Sequence, residues 1–182
     1  ISKGINLLLR SAKGNYMAHF SIGYFFHEGK YLEQNIKKCI YHYKEASTFN
    51  IYPAKNNLGI IYKNGFGKKI PKNIDLATEY FKESILIYYN DYLAKYNLAH
   101  IYIYEYKNNE KIDEAIVLLI NALKPDFHPL TILLCIALIK KNGLGFEKIC
   151  RDKIVKKHPS IIIFIRFIYQ IFYPIFSNEF NF

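Results

Sequence analysis

The sequence predicts an all-α fold assembled from repeated pairs of antiparallel helices. Three observations predict it. An Ala-x-x-x-(Ile/Leu)-(Gly/Ala)-x-x-aromatic pattern begins at Ala18, Ala54 and Ala94, in steps of 36 and 40 residues. A second pattern lies between these copies: Cys39, Ala77 and Ala115 stand 38 apart, and Ala46, Ser84 and Ala122 follow each of them by seven residues. Bulky residues sit three and four past each first member: His42 and Tyr43, Tyr80 and Phe81, Leu118 and Leu119. Spacings of three, four and seven draw one apolar stripe along a helix. Each unit is therefore a helix A carrying the first pattern and a helix B carrying the second.

The elements follow in order. Residues 1–14, with Leu7-Leu-Leu-Arg-Ser11-Ala12, read as the end of a helix B from a preceding unit, so the array is expected to continue upstream. Repeat 1 takes residues 15–50, repeat 2 residues 51–90 and repeat 3 residues 91–126. Small residues let the helices approach and large ones fill the space between them. Gly65 and Gly67 suit left-handed turn positions after helix A. Asp75 and Asp113 favour the early turns of their helices through the helix dipole. A degenerate repeat 4 spans 127–158, where Lys141-Asn-Gly143-Leu-Gly145 restates Lys63-Asn-Gly65-Phe-Gly67 at an offset of 78. In that unit Ile132 replaces the Ala and Lys140 the aromatic. Residues 159–182 form a C-terminal apolar segment. From Ile161 to Tyr173 only Arg166 and Gln170 are polar, four apart on one face. A helix of that length reaches about 20 Å, short of the ~30 Å hydrocarbon core. A helix capping the last repeat is expected there, with membrane contact through 160–176 as the alternative.

Composition bounds the function. The chain has 182 residues, 51% apolar and 22% charged, which is globular rather than disordered. Its formal charge of +10 permits binding to nucleic acid or anionic membrane. The lysines are spread along the chain, however, in a background of Asn, Ile, Tyr and Phe typical of A/T-rich coding, so nucleic acid is not the expected partner. Three cysteines, Cys39, Cys135 and Cys150, do not make a disulfide framework. Asn-x-Ser/Thr sequons are absent. A cytoplasmic location is expected.

The patterns together resemble a known family. Ala54-Lys-Asn-Asn-Leu58-Gly59-Ile-Ile-Tyr62-Lys-Asn-Gly65-Phe-Gly67, followed by Asp75-x-Ala77-x-x-Tyr80-Phe81-x-x-Ser84, is similar to the Sel-1-like repeat, a cousin of the tetratricopeptide repeat. Lys13-Gly14-Asn15-Tyr-Met-Ala18 looks like that family's junction between units. The resemblance covers roughly residues 7–149; unit 3 departs from it, with Ala99 for Gly and no glycines after Tyr102. It implies a right-handed α/α superhelix with a concave groove, acting as a scaffold or adaptor. It also implies an alternative, a subunit of a membrane-associated ubiquitin-ligase complex in endoplasmic-reticulum-associated degradation, located at that membrane. Bacterial relatives with a Cys pair in each unit have been linked to β-lactams, but no such pairs occur here.

No catalytic signature emerges, and no cofactor or metal is expected. None of the six histidines forms a His-x-x-x-His pair. Cys39 and His42 are three apart, yet they fill the small and aromatic slots of helix B and are read as packing. Gly65-Phe-Gly67-Lys68-Lys69 lacks the spacing of a phosphate loop and recurs as a repeat turn. Glu110, Asp113 and Glu114 read as a solvated helix start. If helix A lines the groove, the residues two before, two after and five after Ile22, Leu58 and Leu98 face it. The candidates are Tyr24 and His27, then Asn56 and Lys63, then Tyr96 and His100, with Phe20, Ile60 and Ile103 among them. They suit a protein or peptide partner: Asn56 can bond extended backbone, and Tyr24 and Tyr96 offer flat contact area.

Overall fold

The structure, a computed structural model, describes residues 2–106 and 111–122. Among them stand seven helices: α1 Ser2–Ser11, α2 Tyr16–Glu28, α3 Ile36–Ser47, α4 Tyr52–Asn64, α5 Ile74–Ile87, α6 Tyr92–Tyr104 and α7 Ile112–Ala122. The expectations for a fourth repeat, for Gly143 and Gly145 and for residues 159–182 lie outside the described residues. Within those residues no helix is long and apolar enough to cross a membrane.

The helices begin where a side chain can satisfy the free amides of a first turn. Asn15, Asn35, Asn73 and Asp91 are the N-caps of α2, α3, α5 and α6. Each accepts from the N–H three residues on, at 3.1, 3.1, 2.9 and 3.0 Å. α4 starts differently: Ile51 gives no side-chain cap, and Pro53 occupies the first turn, where its missing N–H costs nothing. Asp75 lies in the first turn of α5.

α2 packs chiefly on α3, α4 on α5 and α6 on α7. Successive pairs meet through α3 against α4 and α5 against α6, and α4 also touches α6 directly. The two sequence patterns supply the core. Ala18, Ile22, Ala54, Leu58, Ala94 and Leu98 of the first are buried, as are Cys39, Tyr43, Ala77, Phe81, Ala115 and Leu119 of the second.

The glycine of each Leu/Ile-Gly pair has a specific reason. A Cβ on Gly23 would lie 2.7 Å from Tyr43 Cδ1, and one on Gly59 would lie 2.6 Å from Phe81 Cε1. The helix B ring thus seats directly on the helix A backbone. In the third pair the equivalent positions hold Ala99 and Leu119, both buried. The extra methyl on helix A goes with a smaller side chain on helix B.

The turn from α4 to α5 needs glycine for another reason. Gly65 has φ 70° and ψ 177°, a region essentially closed to other residues. It directs Phe66 N–H onto Ile70 O at 2.7 Å, and Asn73 N–H then donates to Tyr62 O at 2.8 Å. Repeat 1 closes the same way, with Asn35 N–H on Phe26 O at 3.0 Å. Gly67 also has a positive φ, 56°.

Candidate functional site

The helix A candidates do not form one continuous surface. Tyr24 on α2 is 47% exposed. His27 is half-buried beside Glu28, with Nδ1 at 3.7 Å from Oε1, and its carbonyl accepts from Gln34 Nε2 at 2.8 Å. Neither bonds to the candidates of the next two repeats. Phe20 packs against the core, 5.8 Å from the Tyr43 ring.

Two of the groove expectations meet buried positions instead. Asn56 is only 5% exposed and Ile103 only 1%. The Ala-Leu-Gly stripe does not account for all the burial on helix A. α4 contacts α5, α3 and α6, so the strip left to solvent is narrower than the helical count implies. Asn56 Oδ1 has no hydrogen-bond partner.

Repeats 2 and 3 do bring five residues together. Lys63 Nζ on α4 donates to Asn97 Oδ1 on α6 at 2.8 Å. Asn97 is buried, and its Nδ2 donates to Leu93 O at 3.0 Å, so the amide is held from both ends. The imidazole of His100 lies 6.4 Å from the Tyr96 ring and 4.7 Å from that of Tyr104. Tyr96, His100 and Tyr104 are spaced by four and form one aromatic stripe along α6. Burial lowers the Lys63 pKa, with Glu105 opposing and Lys72 assisting. Burial and then the nearby Lys63 charge lower that of His100. Glu105 is itself engaged by Lys72 at 2.7 Å. Among the described residues Lys63 therefore has an amide oxygen, and no carboxylate, within ion-pair range.

Sequence reasoning missed Asn97, although Asn stands directly before the pattern Leu in both units, as Asn57 and Asn97. It also missed a histidine pair, having searched only within one helix. His19 Nδ1 on α2 and His42 Nδ1 on α3 are 3.0 Å apart, one ring donating and the other accepting. The ring of His42 stacks on Phe26 at 5.8 Å. Cys39 is fully buried, and its thiol is pushed up to about 12 by burial, which suits packing and not metal binding. Among the described residues no three His, Cys, Asp or Glu side chains converge as metal ligands.

A third polar group ties repeat 2 to repeat 3. Ser84 Oγ lies 2.8 Å from Tyr52 O and 2.7 Å from Asp91 Oδ2, and is fully buried. The other Asp91 oxygen caps α6. Lys95 Nζ sits 3.7 Å over the Tyr89 ring, and its side chain is 1% exposed. Burial lowers its pKa while Asp91 opposes the shift.

Comparison with known proteins agrees with this architecture. The Sel1 repeat model matches residues 17–48 and 53–86. No curated protein matches the sequence significantly. Two solved structures share the fold. One is a protective antigen of uropathogenic Escherichia coli displaying an SLR fold, with TM-score 0.67 at 23% identity over 76% of this chain. The other is a Sel1 repeat protein from Oxalobacter formigenes, with TM-score 0.64 at 15% identity over 78% of this chain. The chain spans only 29% and 56% of these two proteins. Proteins built from such repeats generally serve as protein-interaction scaffolds. Residues 17–48 and 53–86 therefore match two Sel1 repeats, and the described helices share the all-α repeat fold of these two structures.

Proposed function

We propose that the chain is a non-enzymatic scaffold that binds a partner protein along the helix A side of its repeats. The observation that carries this reading is the direct α4–α6 contact, which aligns helix A of repeats 2 and 3 into one surface. Tyr24, Tyr96, His100 and Lys63 give that side partly exposed rings and a cation, a mixture suited to protein contact. Among the described residues the buried Ser84, Asp91 and Asn97 serve caps and seams.

Photo-crosslinking tests the side of approach. A photoreactive phenylalanine is placed at Tyr24 or Tyr96 on helix A, or at Tyr41 on helix B, which is 56% exposed. In cells, a shared protein adduct is expected at Tyr24 and Tyr96 and not at Tyr41. Adducts confined to Tyr41 would move the binding surface to the other side. Replacing Tyr96 with Ala is expected to weaken capture of the same adduct partner while leaving helical circular dichroism intact.

A further inference from the structure

We propose that the helix A face of repeats 2 and 3 recognises an acidic residue within an extended segment of the partner protein, with its carboxylate at Lys63. This rests on the scaffold reading and adds the chemistry of the segment bound.

Charge complementarity carries the choice of occupant. Lys63 is half-buried, and its ammonium has an amide oxygen as its fixed partner. Two other cations, on and near this side, do have carboxylate partners: Lys55 with Glu83 and Lys72 with Glu105. A half-buried ammonium with no carboxylate in ion-pair range, with Glu105 engaged by Lys72, attracts an anion that reaches it more strongly, because less water screens the pair. Asn97 holds Lys63 in place, and Leu93 O holds Asn97. The cation is thus fixed before a ligand arrives, which reduces the ordering cost of binding. The whole chain carries +10, so long-range attraction has the same sign.

The aromatic stripe supplies the rest of the contact. Tyr96 to Tyr104 spans two turns of α6, about 12 Å, or roughly four residues of extended chain. Tyr104 is 47% exposed and Tyr96 and His100 are half-buried, so the rings offer flat area with polar edges. An extended backbone laid over this stripe passes beside Lys63, which bonds the neighbouring Asn97. His100 Nδ1, buried and without a partner, is one further polar atom under that path.

The test uses the full 182-residue chain and phage-displayed random 12-residue peptides. Selected binders are expected to be rich in Asp and Glu. For the tightest binder, a twin with Gln for the key Glu is expected to bind about tenfold weaker by fluorescence anisotropy. Lys63→Gln keeps a donor for Asn97 and removes the charge, and it is expected to abolish the difference between the twins. The exposed Lys82→Gln on α5 is expected to leave the difference unchanged. Binders with no acidic preference, or equal losses from Lys63→Gln and Lys82→Gln, would overturn the inference. So would a selection that returns no peptide. None of these results touches the crosslinking outcome, which tests the scaffold reading by itself. Should Lys63→Gln fail to fold by circular dichroism, the Glu and Gln twins on the unaltered chain still decide whether an acid is recognised.

Discussion

At the scale of single residues, the pairing of Gly59 with Phe81 is the sharpest constraint. Gly59→Ala places a methyl against the Phe81 ring and is expected to cost about 1–3 kcal/mol in urea unfolding. Phe81→Leu recreates the combination that repeat 3 already uses, Ala99 with Leu119. The double variant is therefore expected to be more stable than the sum of the two single losses, by about 1 kcal/mol or more. Strict additivity would show that the two positions are not coupled. The Leu-Gly motif was legible in the sequence; what the glycine seats was not, because the ring comes from 20 or 22 residues downstream. His42 gives a second residue-level prediction. Its pKa is lowered from 6.5 to about 4, first by burial and then by His19 and Lys38. The unfolded chain thus takes up this proton more readily than the folded one. Stability from this group is complete above about pH 6.5 and is lost as pH falls toward 4. His42→Phe, which keeps a ring against Phe26, is expected to flatten the fall in thermal midpoint between pH 6.5 and 4. An unchanged slope would assign the acid sensitivity elsewhere.

At the scale of elements, the start of α6 depends on the end of α5. Ser84 occupies a slot that is Ala46 and Ala122 in the other units, so a consensus argument favours Ala there. The structure argues the reverse. Ser84→Ala leaves Asp91 Oδ2 buried without its donor and is expected to destabilise the protein by about 1–3 kcal/mol. A neutral or stabilising result in chemical denaturation would show that the Ser84–Asp91 bond contributes nothing. The helix starts illustrate what the sequence holds. Asn15, Asn35, Asn73 and Asp91 are standard capping residues, each three before a residue whose N–H they accept, and could have fixed the boundaries. The candidate site was legible only in part. Counting along helix A picked out Lys63, Tyr96 and His100, which do gather. It also picked out Asn56 and Ile103, which are buried. A count along one helix contains no information about which neighbouring helices cover it.

At the scale of the whole described molecule, the helices differ in how many neighbours they pack on. α4 packs on α3, α5 and α6, whereas α1 rests mainly on α2 and leaves Leu7 58% exposed. Amide hydrogen exchange is expected to be slowest in α4 and α5 and fastest in α1, as in other chains whose units touch only their neighbours. Equal protection in all of them would mean that the array opens as one body. The repeat period carried this architecture in the sequence, since a unit that cannot bury its own apolar face must stack. The ring seated on glycine also bears on how such an array can grow. A duplication that copies a whole helix pair carries each ring together with the backbone that receives it. A recombination that joins helix A of repeat 3 to helix B of repeat 2 sets Ala99 against Phe81, and the hybrid begins its history with a clash. Inheritance in this lineage is therefore expected to proceed by whole pairs, with crossovers tolerated between units and penalised within them.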